Sequence, residues 1–216
     1  TNNTPNDITV VYVIRPRGPG TTFCFGSDYN VTVTVRGRIT PTASSNSPVC
    51  VDNSITLNSS ATGGGGSYSY AWTGPSGYNS TDQNPTVTSS ANIAIHSGSY
   101  TVTVTDANSC TATASTTVVV NPLPSLTLGP QPFACYSTSA QTANLSYSSP
   151  VASPNQYTID YDATAEAAGF TDVAYTTLTS PIVLNIPAGA GSSTTSTTYN
   201  AILRVRNANT CISTSL

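Results

Sequence analysis

Apolar and polar residues alternate with a period of two along most of the chain. Val31, Val33 and Val35 alternate with Thr32 and Thr34, and Tyr100, Val102 and Val104 alternate with Thr101, Thr103 and Thr105. Ile182, Leu184 and Ile186 form another such set, as do Tyr199, Ala201, Leu203 and Val205. This period turns one face of a strand to a core and the other to water, and β-branched Thr suits the wet face. Ile8 to Ile14 is apolar at almost every position, which predicts a central strand or one covered on both faces. The only helix-like run, Ala163 to Ala168, is long enough for one turn. Gly18-Pro19-Gly20, Gly63 to Gly66, Gly74-Pro75-Ser76-Gly77, Pro122 with Pro124, and Gly189 to Gly191 punctuate the strands. Short strands between Gly/Pro turns predict an all-β protein built of antiparallel sandwiches.

An internal repeat divides the chain. Asp106-Ala107-Asn108-Ser109-Cys110 nearly duplicates Asn207-Ala208-Asn209-Thr210-Cys211, and the alignment places Val102 and Val104 on Leu203 and Val205. Tyr100 falls on Ala201. Upstream, Ser47-Pro48-Val49-Cys50 corresponds to Gln131-Pro132-Phe133-Ala134-Cys135. The Pro-containing stretches around Pro41 and Pro122 read as short, stiff linkers. The expected organisation is three segments in an extended tandem array. Residues 1–39 would be the C-terminal part of a sandwich, and 40–122 a complete sandwich. Residues 123–216 would be a sandwich lacking its last strand. In this reading the open ends are completed by further chain or by neighbouring subunits.

Cys24, Cys110 and Cys211 take the same place in successive segments. Within a segment, Cys50 can then pair with Cys110, and Cys135 with Cys211, leaving Cys24 for a partner upstream. Closing a loop of that length stabilises a small domain by about 4 kcal/mol in the chain-entropy model. Disulfides imply an oxidising, extracellular compartment.

With these positions in place, the run Tyr70-Ala71-Trp72-Thr73-Gly74-Pro75, followed by Gly98 to Asp106 and Cys110, resembles the Ig-like and PKD-like repeats of very large Bacteroidetes surface proteins. Residues 1–39, with Tyr12-Val13-Ile14-Arg15-Pro16, Cys24 and Val31 to Val35, resemble the C-terminal part of a PKD-like repeat of the same kind. The match is weaker over 123–216, where the tryptophan is absent. Such repeats occur in gliding-motility adhesins and other products of type IX secretion. The resemblance implies a non-catalytic adhesive or filamentous role at the cell surface. It also implies partners that are neighbouring repeats or subunits, with surface glycans as a further candidate. Trp72 is expected to pack between the sheets.

Composition narrows the chemistry. The 216 residues hold 6 basic residues against 9 acidic, a net charge of −3, and only 7% are charged. Six scattered Arg make no phosphate-binding footprint, so nucleic acid is not an expected partner. No apolar run approaches the length of a membrane-spanning helix, so membrane insertion is not expected either. His96 is the only histidine, and neither nucleophile nor orienting carboxylate stands beside it in sequence, so no catalytic residue is assigned. Asp160 and Asp162, with Glu166 nearby, read as solvated carboxylates rather than a glycosidase pair or calcium site. Cys-x-x-Cys does not occur, so no metal or cofactor is expected. Gly63 to Gly66 lacks the Lys-Ser/Thr of a phosphate loop and reads as a flexible connection. The Arg15/Arg17, Arg36/Arg38 and Arg204/Arg206 pairs sit near strand ends. Tyr68, Tyr70 and Trp72 share one strand face with Tyr78 close behind. An exposed Tyr68, Tyr70 and Tyr78 would make a platform for sugar rings, as in a carbohydrate-binding module of a secreted hydrolase. Open end segments would suit a self-assembling fibre completed by strand exchange.

Overall fold

The computed structural model describes residues 2–18 and 24–216 and is nearly all antiparallel β structure. The chain divides into two compact units, Thr1–Val120 and Asn121–Leu216.

The first unit opens with β1 (Ile8–Ile14) and β2 (Tyr29–Val35), which among the described residues pair only with each other. A sandwich follows. One sheet has the order β3 (Thr40–Ser45), β5 (Ile55–Thr62), β8 (Thr86–Thr88). The other runs β10 (Thr111–Val118), β9 (Gly98–Thr105), β6 (Ser69–Thr73), β7 (Asn79–Ser80). Short β4 (Val49–Cys50) pairs with β11 (Val120–Asn121), and one helical turn, α1 (Ile93–His96), precedes β9. Three strands facing four in this order make an immunoglobulin-type sandwich. Alternation explains the core. Tyr100, Val102 and Val104 are wholly buried, as are Ile55 and Leu57 on the facing sheet, and Trp72 is 1% exposed between them. Val118 and Val120 complete the core from the last strands.

The second unit repeats this topology. β12 (Ser125–Leu128) pairs with β14 (Tyr147–Val151), and β13 (Gln141–Leu145) with β17 (Ile182–Ile186). The opposing sheet is β16 (Val173–Thr177), β15 (Pro154–Tyr161), β18 (Ala201–Asn207), with one helical turn, α2 (Ala163–Ala167), after β15. Its core holds Leu145, Tyr157, Ile159, Ile182, Leu203 and Val205. β18 answers to β9 and β15 to β6. The counterpart of β10 is only begun: Ser213 N–H donates to Val205 C=O and Leu216 N–H to Leu203 C=O.

The structure corrects the expectation for Ile8 to Ile14. Every residue of β1 is exposed, so it is neither central nor covered. The register sets Ile8 opposite Val35, Val10 opposite Val33, Tyr12 opposite Val31 and Ile14 opposite Tyr29. One face of the ribbon is therefore apolar throughout, while the other mixes Thr9, Asn30, Thr32 and Thr34 with Val11 and Val13.

Candidate functional site

The paired-cysteine expectation fails in both units. Cys24, Cys110 and Cys135 are free thiols, whereas Cys50 and Cys211 are disulfide-bonded. Cys50–Cys110 and Cys135–Cys211 are therefore not formed, and sandwich geometry gives the reason. Cys110 stands at the start of β10, while Val49, beside Cys50, donates to the Val119 carbonyl just past its end. At about 3.4 Å per residue that strand separates the two cysteines by roughly 25 Å, far beyond the ~7 Å that a disulfide tolerates. In the second unit, the Cys135 carbonyl accepts from Gln141, whose strand partner is Ile186. Pro187 follows and meets Gly169 after α2, at the Tyr161 end of β15. Cys211 belongs to the opposite end, where Asn207 pairs with Pro154. Cys110 and Cys211 do follow equivalent turns, but the two members of each expected pair lie at opposite poles of a sandwich. Cys24 is an exposed free thiol.

The repeated pentapeptide is a structural turn. Asp106 is 5% exposed, and its carboxylate accepts from the backbone N–H groups of Gly65, Asn108 and Cys110 at 2.8–2.9 Å. These donors, Gly65 foremost, hold its carboxyl below the usual carboxylate range. Asn207 does the same work in the second unit, accepting from Asn209 and Cys211 N–H at 3.1 and 3.2 Å. The glycine run is not a loose connection: a Cβ on Gly63 would lie 2.2 Å from the Arg38 carbonyl, and one on Gly65 2.1 Å from Asn108 Nδ2. Gly63, with positive φ, is needed because it packs against backbone, whereas Gly65 meets the Asn108 side chain.

The tyrosines at the candidate glycan platform are packed rather than displayed. Tyr68, Tyr70 and Tyr78 are partly buried against the first core. Tyr68 donates its hydroxyl to the Gly63 carbonyl, and Tyr78 turns its hydroxyl inward and sets its ring edge-on to Tyr100 at 5.5 Å. Trp72 Nε1–H donates to the Gln83 carbonyl, whose residue also latches Ser59 through two further bonds. Sequence reading gave no sign of the Gln83 latch, since it depends on a loop conformation.

A second missed feature is Tyr100. It stands at the start of the strand that follows the α1 turn and donates its hydroxyl to the His96 carbonyl four residues back, at 3.0 Å. This is the tyrosine corner of immunoglobulin-type sandwiches. Gly74 permits it, because a Cβ there would sit 2.5 Å from the Tyr100 ring. The signal was present in Tyr-x-Val-x-Val after a turn, and the second unit lacks it, with Ala201 in that place.

The chemistry-bearing residues do not converge. His96 Nδ1 accepts from the Asn92 backbone within its own turn. Asp162 caps α2 through Ala165 N–H and accepts from the Asn200 amide. These two donors, Ala165 first, lower its carboxyl pKa. Asp160 stays exposed on β15. Among the described residues no three His, Cys, Asp or Glu side chains gather as a metal site. Arg15 pairs with Asp28 and Arg36 with Asp7, both exposed, while Arg206 binds Gln156 and lies over the Tyr175 ring at 4.0 Å. The second unit does hold a cleft of about 560 Å³ between β15 and β17, lined by Tyr157, Ile159, Tyr161, Phe170, Leu184 and Ile186 among others.

No family model matches the chain, and no curated protein matches it. Solved structures similar to it include the fibronectin(III)-like modules of CbhA from Clostridium thermocellum, at 10% identity over 80% of this chain and 90% of that one, TM-score 0.42. Another is the three N-terminal domains of the bacteriophage RB49 highly immunogenic outer capsid protein, at 14% identity over 97% and 86%, TM-score 0.47. The insect immune protein hemolin is similar at 11% identity over 92% and 53%, TM-score 0.39.

Proposed function

We propose that this chain is a non-catalytic structural and adhesive segment of a bacterial cell-surface protein. The observation that carries the reading is one immunoglobulin-type topology built twice in succession, with interiors filled by side chains. Repetition of this kind lengthens a chain and multiplies its surface, and His96 and Asp162 serve as local turn and cap partners. Disulfide-bonded Cys50 and Cys211 fit an oxidising compartment. The exposed Thr and Ser face of β10, beside half-buried Thr on β9, fits life in water without charge. The resemblance to Bacteroidetes repeats makes surface adhesins exported by the type IX route the preferred setting. Neighbouring repeats or subunits are the preferred partners, and surface glycans are contacts to be probed.

The test is immunolabelling of the source cells with antibody raised against the purified chain, followed by retention of chain-coated beads on glycan-bearing surfaces under flow. Labelling of intact cells and retention of beads are expected. Labelling that requires permeabilised cells overturns the surface assignment, and beads that wash away as freely as uncoated ones overturn the adhesive one.

A further inference from the structure

The outer face of the β16–β15–β18 sheet in the second unit carries charge where the first unit carries none. Tyr157 and Ile159 fill the core from β15, and Leu203 and Val205 fill it from β18. Alternation therefore sets Gln156, Thr158 and Asp160 on the far side of β15, with Ile202, Arg204 and Arg206 on the far side of β18. The register puts Gln156 opposite Arg206, Thr158 opposite Arg204 and Asp160 opposite Ile202. In the first unit the equivalent pairs are Ser69 with Thr105 and Ala71 with Thr103. The same topology is thus built with neutral residues at these places, so the fold does not account for the two arginines.

Their surroundings give them a chemistry. Arg206 is held in place: its Nε donates to Gln156 Oε1 at 2.6 Å, and its guanidinium lies over the Tyr175 ring at 4.0 Å. Both contacts leave its terminal N–H groups without a partner among the described residues. Arg204 stands about 7 Å farther along the strand on the same face. It makes neither a side-chain hydrogen bond nor an ion pair among the described residues, whereas Arg15 and Arg36 are neutralised by Asp28 and Asp7. A guanidinium fork matches a carboxylate, which accepts two parallel N–H donors. Beside the two forks stand partners for hydroxyl groups, the Gln156 amide nitrogen and the Tyr175 hydroxyl, and Ile202 adds exposed apolar surface.

We propose that this face binds an acidic polysaccharide through its uronate carboxylates, with Arg204 and Arg206 as the anchoring pair. A chain of uronate sugars carries carboxylates among hydroxyls and apolar C–H groups, the mixture of partners that the face supplies. Extended peptides are taken at strand edges through backbone hydrogen bonds, whereas these side chains stand on the face of a sheet. Exposed Asp160, one pair beyond Arg204, repels an anion and confines it to the Arg204–Arg206 end. The proposal deepens the adhesive reading and rests on it for the choice of a saccharide.

The test is isothermal titration of the full chain at neutral pH and about 0.15 M ionic strength. The probes are oligogalacturonate, a neutral galactose oligomer of the same length, and poly-glutamate. Binding of oligogalacturonate alone is expected. Arg204→Gln is expected to weaken it by about ten-fold, the loss of one charge-assisted pair. Arg204→Lys, which keeps the charge and removes the fork, is expected to weaken it as well, and Asp160→Asn to tighten it. Neither side chain makes a described contact, so these exchanges leave the sandwich intact. Oligogalacturonate that fails to bind the wild-type chain, or that binds Arg204→Gln equally well, overturns the proposal. Equal binding of poly-glutamate overturns the saccharide assignment. A chain that holds beads on neutral glycan surfaces yet ignores oligogalacturonate overturns this proposal and leaves the adhesive reading standing.

Discussion

Tyr100 offers the sharpest test of the packing argument. Its ring is wholly buried, and its hydroxyl reaches the His96 carbonyl at 3.0 Å. Tyr100→Phe keeps the ring and deletes one neutral hydrogen bond, with an expected cost of about 1 kcal/mol. For a domain of this size that lowers the melting temperature by roughly 4–8 °C. Tyr100→Ala removes the ring as well and leaves a hole between Gly74, Tyr78 and the facing sheet. The expected cost is about 3–5 kcal/mol, a large part of the ~5–15 kcal/mol that holds a small domain together. Trp72 supplies the assay. It is the only tryptophan of the chain and lies in the same core, so its fluorescence reports the first unit alone during thermal or urea unfolding. A Tyr100→Phe transition that coincides with wild type refutes the corner as a stabilising contact. A Tyr100→Ala loss no larger than that of Tyr100→Phe refutes the account of the core.

Three further outcomes follow from the described contacts. Thiol titration of the unreduced native chain is expected to count Cys24, Cys110 and Cys135, with the half-buried Cys110 slowest, and all five after denaturation and reduction; a native count of one restores the bridges expected from sequence. The Asp106 carboxyl has its pKa lowered by Gly65, Cys110 and Asn108 N–H, so its stabilising contribution is complete above the unfolded-state pKa of about 3.9. It is lost as pH falls through the lower folded value. Asp106→Asn, copying Asn207, is expected to keep the first unit folded at neutral pH while flattening its acid-unfolding profile; an unchanged profile by Trp72 fluorescence would show that the carboxylate charge is irrelevant. Trp72→Ala is expected to cost about 3–5 kcal/mol, and a urea midpoint equal to wild type would remove Trp72 from the core.

Local periodicity made the strands and much of the core legible. Tyr100, Val102 and Val104 are buried as alternation requires, and so are Leu203 and Val205. The pentapeptide repeat correctly identified equivalent turns at Asp106 and Asn207. What it could not supply was which end of a sandwich each equivalent cysteine occupies, because strand direction and length enter only in three dimensions. The apolar run Ile8 to Ile14 misled for a related reason: hydrophobicity reports that a strand needs cover, not that the cover is present. The Gln83 latch on Trp72 and Ser59 left no trace in composition or period. It arises from the Gln83 carbonyl and side-chain amide brought inward by a loop, and a lone Gln among polar residues carries no sign of that placement.

The low charge of the exterior has a consequence for behaviour in salt. The Arg15–Asp28 and Arg36–Asp7 pairs are both exposed, and such pairs contribute little even in dilute buffer. A net charge of −3 over 216 residues gives copies of the chain almost no long-range repulsion to be screened. Ionic strength, which shortens the reach of charge from ~30 Å to ~3 Å between 0.01 M and 1 M, is therefore nearly a silent variable for this molecule. Charge screening should therefore leave the stability of the chain level from dilute buffer to about 1 M salt.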